Sequence, residues 1–257
     1  MSNESSAVAG DEPIQILVED KGSLAGKLRR TTVGRKWALI CRGLTGSLEC
    51  RSSLDDLADS LDVEFWSSLR FDYRHSLKPE VGESLRTAVS MVADTKAAMA
   101  ALHRQSRRMP DVVIARGYGA RIAMEALLEA PDVPLIMWAP IIWLRTSLEI
   151  RYRLHEIRRL GFTEFDNAKV DAQFIASLQD PSDEEIKSWI VPTRQHVIIC
   201  AQDDSVVPER LIEETEKVIT SAGARVVVIS VPGEHPHPDK DVSRQISKII
   251  QVAGILT

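Results

Sequence analysis

Cysteine is scarce: Cys41, Cys50 and Cys200 are all that occur in 257 residues. An odd number with no close pair makes neither a complete disulfide set nor a thiolate metal site. Cys41 and Cys200 stand inside apolar runs, where a buried, inert thiol is expected. Basic residues are not in excess either, since 32 lysines and arginines face 37 acidic residues for a formal charge of -5. Nonspecific nucleic-acid binding needs surplus cations to displace phosphate counterions, so no nucleic-acid partner is expected. A run of about 18 apolar residues, long enough to span a bilayer, is missing. Residues 1–12 are small, polar and acidic rather than basic and then apolar, so no export signal is read there. Internal repeats, low-complexity tracts and metal-ligand clusters are also missing, and Gly117-Tyr118-Gly119 lacks the third glycine and acidic partner of a dinucleotide fingerprint. These absences lead us to expect a cytoplasmic protein without cofactor, metal or membrane partner.

What the chain does have is apolar residues, at 44% of the total, enough for one sizeable core. Residues 14–18 and 24–28 flank a polar turn with glycine and read as a hairpin. Six further strand candidates follow at 37–41, 64–71, 112–115, 134–138, 197–201 and 225–231. Helical spacing of apolar residues marks 85–103, 122–128 and 211–219. Strands alternating with helices imply an α/β fold with a doubly wound, mostly parallel sheet. Residues 141–195 break the alternation with helical patterns and no strong strand, and we read them as a lid inserted into a single domain covering 13–257. Residues 1–12 are expected to form a flexible tail.

Four segments carry chemistry. Arg42-Gly43-Leu44-Thr45-Gly46-Ser47 follows a buried strand; Arg70-Phe71-Asp72-Tyr73-Arg74 closes another, with Gly82-Glu83-Ser84 beyond it. Ala115-Arg116-Gly117-Tyr118-Gly119-Ala120 joins a strand to a helix. Asp204-Ser205-Val206-Val207-Pro208 and Pro232-Gly233-Glu234-His235 follow the last two strands. Together they resemble the α/β-hydrolase superfamily, particularly its serine-aminopeptidase and monoacylglycerol-lipase-like branch, over most of the chain. The resemblance implies an oxyanion-hole loop at Leu44 and Thr45, with arginine in place of the usual histidine before it. It also implies a nucleophile elbow at Gly117, with Tyr118 supplying the second amide, an acid at Asp204 and a base at His235.

Glycine at the elbow keeps the turn and removes the nucleophile, so an ordinary serine hydrolase is not expected. Two functions stay open. A His235–Asp204 dyad can act as general base on water or an acidic proton, giving ester, thioester or related carbonyl chemistry. Alternatively, the protein is a noncatalytic pseudo-hydrolase that binds a ligand or another protein. Ser47, Ser205 and Cys200 are weak substitutes for the missing serine, and His237 is a weak alternative base. Arg42 and Arg116 are candidates to bind an anionic small molecule, or else pair internally with Asp72 or Glu125. Residues 149–160 of the lid read as an amphipathic helix carrying Arg151, Arg153, Arg158 and Arg159. Oligomeric state is not legible.

Overall fold

The computed structural model of the protein describes residues 10–19, 22–32, 34–44, 47–49, 52–74, 88–147, 162–165, 168–171, 179–204 and 206–233. Strands β1 (Glu12–Val18) and β2 (Gly22–Arg29) form the expected hairpin, antiparallel, with Glu12 opposite Leu28. Only one face of this edge pair meets the core: Ile16, Leu24 and Leu28 are buried while Leu17 stands out.

Strands β3 (Lys36–Cys41), β4 (Trp66–Phe71), β5 (Val112–Arg116) and β6 (Leu135–Trp138) are short and buried at their centres, apolar in β3, β5 and β6, whereas β4 also buries Ser67, Ser68 and Arg70. Within 162–171 the backbone makes a small separate antiparallel pair, β7 (Phe162–Phe165) and β8 (Ala168–Asp171). The sequence leads us to expect no strong strand in 141–195, and these two are four residues apiece, too few for alternation to register. The 149–160 segment lies outside the described residues. Strands β9 (Gln195–Ala201) and β10 (Arg225–Val231) complete the main sheet. Its order is β1-β2-β4-β3-β5-β6-β9-β10, antiparallel at the first two pairings and parallel at the rest.

Period-two alternation splits each central strand between two cores. Ala38 and Ile40 of β3 and Ile114 of β5 pack with Leu54, Leu57, Ala58 and Leu61 of helix α1 (Ser53–Val63). Leu39, Cys41 and Val113 face the larger cluster, which takes in helices α2 (Ala88–Ser106) and α3 (Tyr118–Ala126). Helix α4 (Asp183–Ser188) follows the insertion, and α5 (Glu209–Ser221) crosses from β9 to β10 and joins this larger core.

Helix α1 is absent from our sequence reading although its signals are plain. Ser52 and Asp55 form a reciprocal capping box, and the buried leucines recur at helical spacing. Its end also explains why β4 starts at Trp66 rather than Glu64: Glu64 is the C-cap, and Phe65 turns the chain with φ 60°.

Candidate functional site

The parallel strands end together at one side of the sheet, where ligands bind in such folds. Central strand β5 runs through Arg116 into Gly117, which has φ 55° and ψ -128°. That backbone lies outside the basins open to ordinary L-residues. It is held from three directions: Gly117 N–H donates to Trp138 O at 2.9 Å, and Gly117 O accepts from Ala120 N at 3.1 Å and Ile141 N at 3.0 Å. The first carbon of a side chain here would lie 3.8 Å from both Gly43 Cα and Ile141 Cδ1, ordinary van der Waals contact, so backbone conformation rather than a clash is what resists a side chain.

Gly119 is needed for a different reason. A Cβ on it would overlap the Arg42 carbonyl oxygen and stand 3.0 Å from its carbon. Helix α3 therefore starts with its backbone against the loop leaving β3. Gly43 is close as well, since its Cβ position lies 3.5 Å from Arg116 O. These contacts seat the loop after β3 against the elbow, and Leu44, which is buried, follows next along it. As the first residue of α3, Tyr118 has an N–H with no intrahelical acceptor. Thr45 lies outside the described residues.

The Arg42 guanidinium turns inward. It is buried and its Nη1 donates to Asp72, which also accepts from Leu48 N at 3.1 Å and from Ser47 Oγ at 3.3 Å. Burial lowers its pKa against the opposing pull of Asp72. Asp72 thus pins the loop after β3 to the end of β4. Arg116 is half-buried, donates from Nη1 to Ser53 Oγ at 2.8 Å and stacks over the Trp138 ring at 5.5 Å.

Asp204 follows β9 and is buried, its Oδ1 accepting from Val206 N and Val207 N at 2.8 Å each. Its neighbour Asp203 donates its N–H to Gly233 O at 3.0 Å, so the start of the loop after β10 lies beside the acid. His235 is two residues further along and, like His237 and Ser205, lies outside the described residues. Ser47 and Cys200, two of the weak candidates for a nucleophile, are both engaged in hydrogen bonds. Ser47 donates to Asp72 and accepts from Glu49 N at 3.1 Å. Cys200 is half-buried, with its Sγ 3.7 Å from Ile229 O and its thiol pKa raised by burial. Cys41 is fully buried, and its thiol is pushed far up for the same reason.

One arrangement escaped the sequence reading. Arg121 lies between the rings of Tyr118 and Trp189, 5.4 Å from each centroid, and donates from Nη1 to Tyr118 Oη at 2.6 Å. Burial raises the Tyr118 pKa, with Arg121 opposing. The spacing of Tyr118 and Arg121, one helical turn, was the available signal. Nearby, Asp180 accepts from Arg145 N and Thr146 N at 2.8 Å each, tying together the two ends of the insertion. Among the described residues no group of acidic, histidine or cysteine side chains is placed to hold a metal ion, and no helix is long and apolar enough to cross a membrane.

No protein-family model matches the sequence, and no curated protein is similar to it by sequence. Solved structures are similar in shape. An esterase of Pyrococcus furiosus superposes with TM-score 0.70 at 16% identity, over 95% of this chain and 92% of that one. The esterase domain of a Rhodothermus marinus protein gives 0.66 at 14%, over 95% and 98%. Dienelactone hydrolase from Anabaena variabilis gives 0.64 at 12%, over 95% and 98%. The fold is an α/β-hydrolase fold. In this α/β-hydrolase fold, the strand-to-helix turn after β5 holds glycine.

Proposed function

We propose that this α/β-hydrolase-fold protein holds the carbonyl or carboxylate group of a small molecule over Gly117 and forms no acyl-enzyme. The observation that carries the reading is the elbow itself: a backbone strained for any residue with a side chain, fixed by Trp138, Ala120 and Ile141, and carrying glycine where a nucleophile would stand. Amides preorganised around such a turn bind an oxyanion whether or not a covalent bond forms. Tyr118 and Leu44 are the donors in this reading, with Thr45 beside them. Arg116, half-buried at the end of β5 next to Gly117, is the cation we assign to an anionic ligand. Replacing Arg116 by alanine is expected to cost on the order of 1.5–3 kcal/mol in affinity for a carboxylate ligand, and little for a neutral analogue.

A second reading is favoured by Asp204. Its two amide bonds and the Asp203–Gly233 link support an acid set beside the His235 loop. A dyad of His235 and Asp204 then activates water for ester, thioester or related carbonyl chemistry.

One set of assays separates the two readings. The native protein is expected to resist fluorophosphonate labelling, read by intact mass, because no activated serine is present. Turnover of activated esters or thioesters by the native protein, abolished by His235→Ala in a folded variant, would establish the dyad. If the native protein is inert, Gly117→Ser is expected to gain acyl transfer and labelling at residue 117. A folded, inert Gly117→Ser variant would mean that base and amides do not converge, and would overturn the assembled-site reading.

A further inference from the structure

The strands begin at the opposite side of the sheet, and a second surface forms there from three connections distant in sequence. Gly34 packs against the backbone of Phe65, and Lys36 pairs with Trp66 across β3 and β4 while its Nζ lies 5.3 Å from the Trp66 ring. Trp37 and Asp111 exchange backbone and side-chain bonds, Trp37 N donating to Asp111 Oδ2 at 2.7 Å and Asp111 N to Trp37 O at 2.8 Å. Arg30 lies over the Trp37 ring at 5.9 Å and donates to Gln105 on α2. Residues 30–32, 34–36, 63–66 and 104–111 are therefore neighbours.

Two properties coincide on this surface. Val63, Phe65 and Met109 stand out from it, 71%, 58% and 37% exposed. Around them Arg35, Lys36, Arg104, Arg107 and Arg108 are all exposed. Of the carboxylates nearby, Asp111 is taken by Arg108 and Glu12 by Arg30, while Asp62 and Glu64 are half-buried. Among the described residues, Arg35, Arg104 and Arg107 make no ion pair. A chain of net charge -5 thus gathers unpaired cations at one end.

Phe65 and Arg107 are the left-handed residues that end α1 and α2, with φ 60° and 62°, a region that glycine enters freely and other residues resist. One of them exposes an aromatic ring and the other an unpaired guanidinium.

We infer that this end of the sheet docks onto an anionic lipid surface, with Phe65, Val63 and Met109 entering the interface and the surrounding arginines and lysine meeting headgroup phosphates. Val63 and Phe65 of one turn and Met109 of its neighbour, ringed by exposed cations, suit an anionic lipid interface, where apolar tips enter and cations meet headgroup phosphates. The missing long apolar run bears on a bilayer span, not on docking at the membrane surface. The inference does not depend on what the elbow binds.

The test is co-sedimentation with vesicles of equimolar phosphatidylcholine and phosphatidylserine, against vesicles of phosphatidylcholine alone, at low and high salt. The native protein is expected to sediment with the anionic vesicles only, and to be released by salt. Phe65→Gly and Arg107→Gly each remove a contacting group and relieve the strained backbone. Both variants should melt higher than the native protein yet bind more weakly, by about five-fold for the lost cation. Equal sedimentation with both vesicle types, or binding unchanged in the double glycine variant, would overturn the inference. Failure to sediment at low salt would also overturn it, leaving an acidic protein as the partner for the same charges.

Discussion

Gly119 offers a test in which two physical effects predict opposite signs. As a helical residue it should gain about 0.5–1 kcal/mol on replacement by alanine, from the lower entropy of the unfolded chain. Packing says otherwise. The added carbon overlaps the carbonyl oxygen of Arg42 and meets Cys41 O at 3.4 Å, and these are backbone atoms that no rotamer change can move. Both lie at the end of β3, whose Cys41 pairs with Ala115 of β5, so the strand cannot slide away without breaking the sheet. Overpacking of this kind costs on the order of 1–3 kcal/mol, and a rigid backbone neighbour favours the upper end. The net expectation for Gly119→Ala is a destabilisation of about 2 kcal/mol. Urea unfolding would show it as a lower midpoint at unchanged slope, and amide exchange at Gly43 and Leu44 should quicken. In the Gly117→Ser background the same change should abolish any acyl transfer gained. A Gly119→Ala protein as stable as the native one, or more so, would refute the claim that the loop after β3 is seated on the elbow.

Three other outcomes follow from buried groups. Burial, assisted by Arg194, lowers the His196 pKa to about 4, so the native state resists protonation that the unfolded chain accepts near its ordinary 6.5. Its effect is therefore absent above the unfolded value and appears as a loss of stability as pH falls from about 6.5 towards 4, up to roughly 3 kcal/mol; urea midpoints at several pH values, compared with His196→Phe, measure it, and an identical pH profile in the variant would refute it. Asp72→Asn strands the Arg42 charge in the interior and is expected to cost about 3–5 kcal/mol, whereas Asp72→Asn combined with Arg42→Met should recover much of that. A double variant no more stable than Asp72→Asn alone would count against the pair. Cys41 should react with a thiol reagent only on unfolding, because its sulfur is fully buried and its pKa is raised; peptide mapping after labelling checks this, and modification of Cys41 in the native state would contradict it.

How much was legible in the sequence varied with the kind of interaction that decides each feature. Unbroken apolar runs such as 112–115 and 134–138 emerge as central strands within a residue or two, since burial on both faces leaves no other role for them. The turn at Gly117 was equally plain, because a strand, a glycine pair and a helix leave little freedom between them. Pairing across the fold was not. Arg42 had Asp72 and Glu125 as available partners, and only the parallel pairing of β3 with β4 brings Asp72 alongside. The stack of Arg121 on Trp189 depends on how the chain returns after the insertion, which periodicity does not encode. The cationic end of the sheet stayed hidden for the same reason: Arg35, Arg104 and Arg107 are neighbours only once α1, α2 and β3 are packed.

The strain at Gly117 has an evolutionary corollary. A serine at φ 55° taxes the folded state for the sake of its hydroxyl, so the change from serine to glycine runs downhill in folding free energy, by about 1–3 kcal/mol. Most substitutions run uphill, and a protein with that much slack tolerates one or two more of them elsewhere before it falls below the stability its function needs. Once such changes have accumulated, the return from glycine to serine has to be made from a less stable background. A turn of this conformation behaves as a ratchet for any chain in which serine gives way to glycine: relief of strain at one backbone position makes the change easier to acquire than to reverse.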